Sequence, residues 1–146
     1  MPPLVYLVDD DHMLALSFQA LLAAEGIAFE HFESAERLLD AIGTLAPGCI
    51  VMDIYMAGAD GISALQALKE RGIDWPTIIM SGTAEDNDEH LAWACGAIDF
   101  LHKPFHPGEI MGSIRNALHQ LSAANGSSRL AEDAVSGGVS RQVQEG

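Results

Sequence analysis

The chain has 146 residues, 49% of them hydrophobic, a length that suits one domain with a substantial core. Asp and Glu number 21 against 7 Lys and Arg, and the net charge of −14 argues against direct nucleic-acid binding while suiting divalent cations. No stretch reaches the roughly 18–20 apolar residues needed to cross a bilayer, so no membrane association is expected. The opening Met-Pro-Pro-Leu-Val-Tyr lacks a secretory signature, so a cytoplasmic location is expected.

Leu4-Val5-Tyr6-Leu7-Val8 is a β-rich run that ends in three acids, Asp9, Asp10 and Asp11. Leu14, Phe18, Leu21 and Leu22 then share one helical face, with Gly26 as the stop. Asp11 reads as the acid at that helix's N-terminus rather than as a ligand. Ile27 to Phe32 reads as a second strand. Ser34 is an N-cap for a helix carrying Leu38, Leu39, Ile42 and Leu45, which Pro47-Gly48 breaks. Ile50-Val51-Met52 is a short apolar run, read as a strand buried on both faces, and it delivers Asp53 into a Gly-containing loop.

Asp60-Gly61 leads into a third helix with Ile62, Leu65 and Leu68 facing inward, stopped near Gly72. Thr77 to Met80 is a fourth strand, ending at Ser81-Gly82. The acidic segment Asp86 to Cys95 reads as a helix with Leu91, Ala94 and Cys95 inward, and Gly96 ends it. Ala97 to Leu101 is a fifth strand, followed by His102-Lys103-Pro104-Phe105. A last helix starts near Pro107, with Ile110, Ile114, Leu118 and Leu121 on one face. Cys49 and Cys95 match no metal spacing and read as free thiols.

Five strand–helix alternations with short connections imply an α/β fold: a doubly wound parallel sheet between two helical layers. From Ser122 the composition shifts to Ala, Asn, Gly, Ser, Glu and Gln. Residues 1–121 therefore read as the folded unit and 122–146 as a flexible C-terminal tail or linker.

Every candidate functional residue follows a predicted strand: Asp9 and Asp10 the first, Asp53 the third, Ser81 the fourth, Lys103 the fifth. Parallel strands send these ends to one edge of the sheet, where open α/β sheets place their sites. Carboxylates crowded there repel, and a bound cation relieves the repulsion. Hard oxygen donors with room for water suit Mg²⁺, with Mn²⁺ as a substitute. A Lys amine and a Ser hydroxyl beside them are donors for phosphate oxygens. The set describes a carboxylate that accepts a phosphoryl group, a neutralising metal and two donors that follow the product.

Leu7-Val8-Asp9-Asp10-Asp11, Met52-Asp53, Met80-Ser81-Gly82 and Asp99-Phe100-Leu101-His102-Lys103-Pro104-Phe105 resemble the receiver domain of bacterial two-component response regulators over residues 4–121. The run up to Lys-Pro-Phe is similar to the FixJ-type subgroup. The resemblance implies a CheY-like, flavodoxin-like (βα)5 three-layer sandwich with sheet order 2-1-3-4-5. It implies Asp53 as phosphoacceptor, and a metal held by Asp10, Asp53 and the backbone carbonyl of Tyr55, with Asp9 acting through water. It further implies Ser81 as switch hydroxyl, Lys103 as phosphate-binding lysine, Phe100 as aromatic switch and a cis bond before Pro104. The implied donor is a sensor histidine kinase or a phosphotransfer protein. The surface of the fourth helix, fifth strand and fifth helix would respond, binding a partner or a second copy.

The chain departs from the family's pattern at Ala57, where Pro is common, and at Ser81, where Thr is commoner. Tyr55 and Thr83 occupy positions that tune dephosphorylation in the family. Such a chain is a signalling domain rather than an enzyme, beyond its own phosphorylation and dephosphorylation. It could equally be the receiver half of a transcription regulator whose DNA-binding domain is absent from this chain. An aspartyl-phosphate hydrolase is the alternative from another class, disfavoured because Tyr55 stands where such enzymes carry a second Asp. His12 and His102 read as solvated neighbours of the site, and His31, His90, His106 and His119 as surface residues.

Overall fold

Each apolar run forms a strand and each patterned segment a helix in the computed structural model, which describes residues 3–55, 60–82 and 86–137. The order is β1 Leu4–Val8, α1 His12–Ala24, β2 Ala28–Phe32, α2 Ala35–Ala41, β3 Cys49–Asp53, α3 Gly61–Glu70, β4 Thr77–Ser81, α4 Asp86–Ala94, β5 Asp99–His102 and α5 Pro107–Gly137. The strands are parallel in the order β2-β1-β3-β4-β5, as the resemblance implied. Tyr6 stands opposite Ile50, and Met52 opposite Ile79.

Successive residues of a strand point to opposite faces, so strands that are apolar throughout build two cores. Val5, Leu7, Val51, Ile78 and Met80 pack with Phe18 and Leu22 of α1 and Ile110 and Ile114 of α5. Tyr6, Val8, Ile50, Met52 and Ile79 pack with Leu38 of α2, Leu65 and Leu68 of α3 and Ala92 of α4. Burial of each large side chain contributes about 1.5–3 kcal/mol, which fixes the sheet and so the positions of its strand ends.

Local signals start and stop the helices. The Asp11 carboxylate accepts from the backbone N–H groups of Met13 and Leu14, the Ser34 hydroxyl from Arg37, and the Asp60 carboxylate from Ser63. Gly26 closes α1 with φ of 71°, a left-handed conformation that glycine adopts without steric cost.

Tyr6 is fully buried, stacks on Trp75 at 5.7 Å and donates from its hydroxyl to the Ala46 carbonyl at 2.6 Å. Ala46 is exposed and can turn to water, so Tyr6→Phe should cost about 1 kcal/mol. A fall in urea midpoint at constant m checks this.

The structure corrects several local readings. In α4 it is Ala92 that is buried, while Leu91 and Ala94 are exposed and Cys95 is half-buried. Ala92 joins the core between α3 and the sheet. Ile42 falls in a short 3-10 turn after α2, and Leu45 lies beyond it. β2 starts at Ala28 rather than Ile27, and β5 spans Asp99 to His102 rather than Ala97 to Leu101.

α5 does not end at Leu121: its backbone stays helical to Gly137, across the segment read as a flexible tail. That stretch has no Pro, and Ala, Leu and Arg as helix formers offset the less favourable Asn125-Gly126-Ser127-Ser128. Ala57, Thr83 and the rest of the tail, 138–146, lie outside the described residues. No helix among the described residues is long and apolar enough to cross a membrane.

Candidate functional site

The sheet's carboxyl edge brings Asp9, Asp53, Ser81 and Lys103 together from four strands. Asp9 follows β1 and is buried, and Asp53 is the last residue of β3. The Lys103 ammonium donates to Asp9 Oδ2 and to Asp53 Oδ2, both at 3.0 Å. The second oxygen of each carboxylate is also engaged. Asp9 Oδ1 accepts from the Asp11 N–H at 2.9 Å, and Asp53 Oδ1 from the Tyr55 N–H at 3.1 Å.

Backbone bonds at the strand ends hold this geometry. The Asp9 N–H donates to Phe32, Ile54 to Met80, and Lys103 to the Ser81 carbonyl at 2.7 Å. The Lys103-Pro104 peptide bond is cis. Ser81 is buried at the end of β4, across from His102 in the register. Phe100 is buried, with its ring edge-on to His102 at 5.2 Å. Asp10 lies beside Asp9 and is exposed.

Burial pushes the Asp9 carboxyl upward, and the nearby Asp53 charge adds to this; the Asp11 N–H and Lys103 pull the other way without cancelling it. Burial opposes the Lys103 charge, but hydrogen bonds to Asp53 and Asp9, with their charges, outweigh it and raise the amine. An ion pair normally lowers its acid partner. Asp9 moves up because it is almost wholly out of water and shares one ammonium with a second carboxylate.

Asp9 and Asp53 share one ammonium as their common counter-charge. Their hard oxygens, with the exposed Asp10 alongside, match what Mg²⁺ takes. Among the described residues no three His, Cys, Asp or Glu side chains converge as a ligand set.

Several contacts at the site go beyond the sequence expectations. His31, read as a surface residue, is half-buried and its Nε2–H donates to the Asp9 carbonyl at 2.7 Å. Its place at the end of β2, opposite Leu7, was the available clue. His12 lies 3.3 Å from Glu33, and His102 lies 3.4 Å from Glu89 of α4. The Tyr55 hydroxyl donates to Asp88 Oδ2 of α4 at 2.6 Å.

The family model for the response regulator receiver domain matches residues 5–115. The transcriptional regulatory protein FixJ of Bradyrhizobium diazoefficiens is 35% identical over 147 residues, covering 97% of this chain and 72% of that protein. The chain spans about half the length of other curated response regulators it matches. The crystal structure of FixJ-N aligns with a TM-score of 0.75 at 28% identity, over 82% of this chain and 95% of that one. The beryllofluoride-activated NtrC4 receiver domain dimer aligns with a TM-score of 0.75 at 27% identity, over 80% of this chain and 97% of that one. Phosphorylation and Mg²⁺ binding are characteristic of such domains, which serve two-component signalling in bacterial relatives. On the match across 5–115 and the FixJ relationship, this chain belongs to the response regulator receiver domain family.

Proposed function

We propose that this receiver takes a phosphoryl group on Asp53 from a sensor histidine kinase or a phosphotransfer protein, in a Mg²⁺-dependent reaction. The observation that carries the reading is Lys103 Nζ at 3.0 Å from both Asp9 and Asp53. An Asp53 oxygen forms the new bond to phosphorus as the donor's bond to phosphorus breaks, and the leaving group keeps that electron pair. Lys103 is already on Asp53 and can follow the incoming phosphoryl oxygens.

Asp10, Asp53 and the Tyr55 carbonyl would hold Mg²⁺ (or Mn²⁺), with Asp9 reached through water. When bound, the metal neutralises the charge that gathers as two anions meet. Ser81, buried beside Lys103, then follows the phosphoryl group, and Phe100 on β5 adjusts with it. The α4–β5–α5 surface is remodelled and engages a partner or a second copy; the likeness to a receiver dimer supports the second. The net charge of −14 favours protein partners over nucleic acid and accords with a cytoplasmic setting. Residues 1–121 form the receiver unit in this reading, and 122–146 act as the linker from it.

The test is intact-protein mass spectrometry after incubation with acetyl phosphate and Mg²⁺. One phosphoryl adduct is expected, mapped to Asp53, lost when the metal is chelated and lost in Asp53→Asn. No adduct on the parent chain, or an undiminished one in Asp53→Asn, defeats the proposal.

A further inference from the structure

Tyr55 is pinned at both ends. Its backbone N–H donates to the acceptor carboxylate Asp53, and its hydroxyl donates to Asp88 Oδ2 at 2.6 Å. An O–H donor on a carboxylate at this length belongs to the stronger class of hydrogen bond. Asp88 lies in the first turn of α4, seven residues beyond Ser81 at the end of β4. The bond therefore joins the connection that leaves β3 to the helix reached from β4.

α4 also meets the sheet and β5. Its buried apolar side chain is Ala92, and Glu89 reaches His102 at 3.4 Å. Trp93 is 45% exposed and donates to Glu89 within the same helix. The Tyr55–Asp88 bond adds a direct tie between α4 and the residues that follow β3.

We propose that the Tyr55–Asp88 hydrogen bond is a latch that holds α4 to the acceptor loop in the unphosphorylated arrangement, making Tyr55 and Asp88 positioning residues for the switch. The proposal rests on Asp53 as the phosphoacceptor. A displacement of α4 that accompanies the movement of Ser81 at the end of β4 leaves Tyr55 tied to β3, and the bond breaks. An interaction present in one state lowers the affinity of any ligand that favours the other by the same factor. The latch thus lowers the receiver's response to its own phosphorylation and sets a threshold.

The test uses Tyr55→Phe, Asp88→Asn and the double variant. Tyr55→Phe keeps the ring and the backbone carbonyl and removes only the donor. With Mg²⁺ present, each single variant should bind beryllofluoride about fivefold more tightly than the parent chain, and the double variant no more tightly than either. Without any ligand, amide hydrogen exchange across Asp86–Ala94 should be about fivefold faster in each.

Unchanged or weakened beryllofluoride affinity overturns the latch, as do additive effects in the double variant. A parent chain that binds no beryllofluoride counts against the phosphoacceptor reading instead. In that case the exchange measurement decides the latch alone, and an unchanged α4 overturns it.

Discussion

Lys103→Met should slow phosphoryl uptake on Asp53 by about 100-fold, the usual effect of losing one donor aimed at developing charge. It should also destabilise the fold, for a reason visible in the resting site. Lys103 is the shared counter-charge of two carboxylates, one of them 1% exposed. Removing one partner of a buried pair costs about 3–5 kcal/mol, and since the Lys103 side chain keeps 24% exposure, about 2 kcal/mol is expected. Lys103→Arg should not restore uptake, because a planar fork cannot replace a point charge set between two single oxygens.

The pH dependence separates this account from a loss of packing. The folded Asp9 carboxyl lies above its ordinary 3.8, so its contribution is full below 3.8 and is lost as pH rises through the folded value. Ionised Asp9 is therefore a cost at neutral pH. The raised amine of Lys103 has the same sign in a higher window: it stabilises at neutral pH and loses that effect as pH rises through its folded value above 10.5. Without Lys103 the Asp9 carboxyl loses both its hydrogen bond and its attraction to the ammonium and shifts further up. The stability gap between Lys103→Met and the parent chain should then narrow from about pH 7 to about pH 5, measured by urea unfolding. An equal gap at both pH values would mean that lost packing, not the stranded Asp9 charge, causes the destabilisation.

Much of this arrangement was legible in the sequence, because its signals are local. Apolar runs separated by Gly, Pro and the cap residues Asp11, Ser34 and Asp60 mark the strands and helix starts. Parallel topology then sends Asp9, Asp53, Ser81 and Lys103 to one edge without further information. What was not legible has no local period. α4 is acidic and weakly patterned, so the sequence reading put Leu91 inward, whereas packing chose Ala92. The composition shift at Ser122 marks an end to the patterned face of α5, whereas its backbone continues helical to Gly137. The His31 bond to Asp9 and the Tyr55 bond to Asp88 span 22 and 33 residues. The first follows from the pairing of β2 with β1, and the second depends on how the residues after β3 meet α4 over a finished sheet, which no spacing rule encodes.

Gly61→Ala should be the most damaging single-methyl change near the site, costing about 2–3 kcal/mol as an overpacked position with no soft neighbour. A β-carbon there would stand 2.7 Å from the Asp53 carbonyl oxygen and 2.9 Å from the Ile54 α-carbon. Both are backbone atoms, so no side chain can rotate away. Gly61 also donates to the Ile54 carbonyl at 2.7 Å, one residue after the Asp60 cap of α3. Relief requires α3 to slide off or the end of β3 to shift, and the second moves Asp53 itself. Displacing a reacting group by about 1 Å can cost 100-fold, so phosphoryl uptake should fall at least about 10-fold even where the variant stays folded. Gly112→Ala is the matching control, because its added carbon meets nothing within 4 Å on an exposed turn of α5. It should stabilise by about 0.5–1 kcal/mol through helix propensity and leave uptake unchanged. Urea midpoints with adduct formation rates distinguish the two. If Gly61→Ala matched Gly112→Ala in both, close approach of α3 to the acceptor strand would not be what holds Asp53 in place.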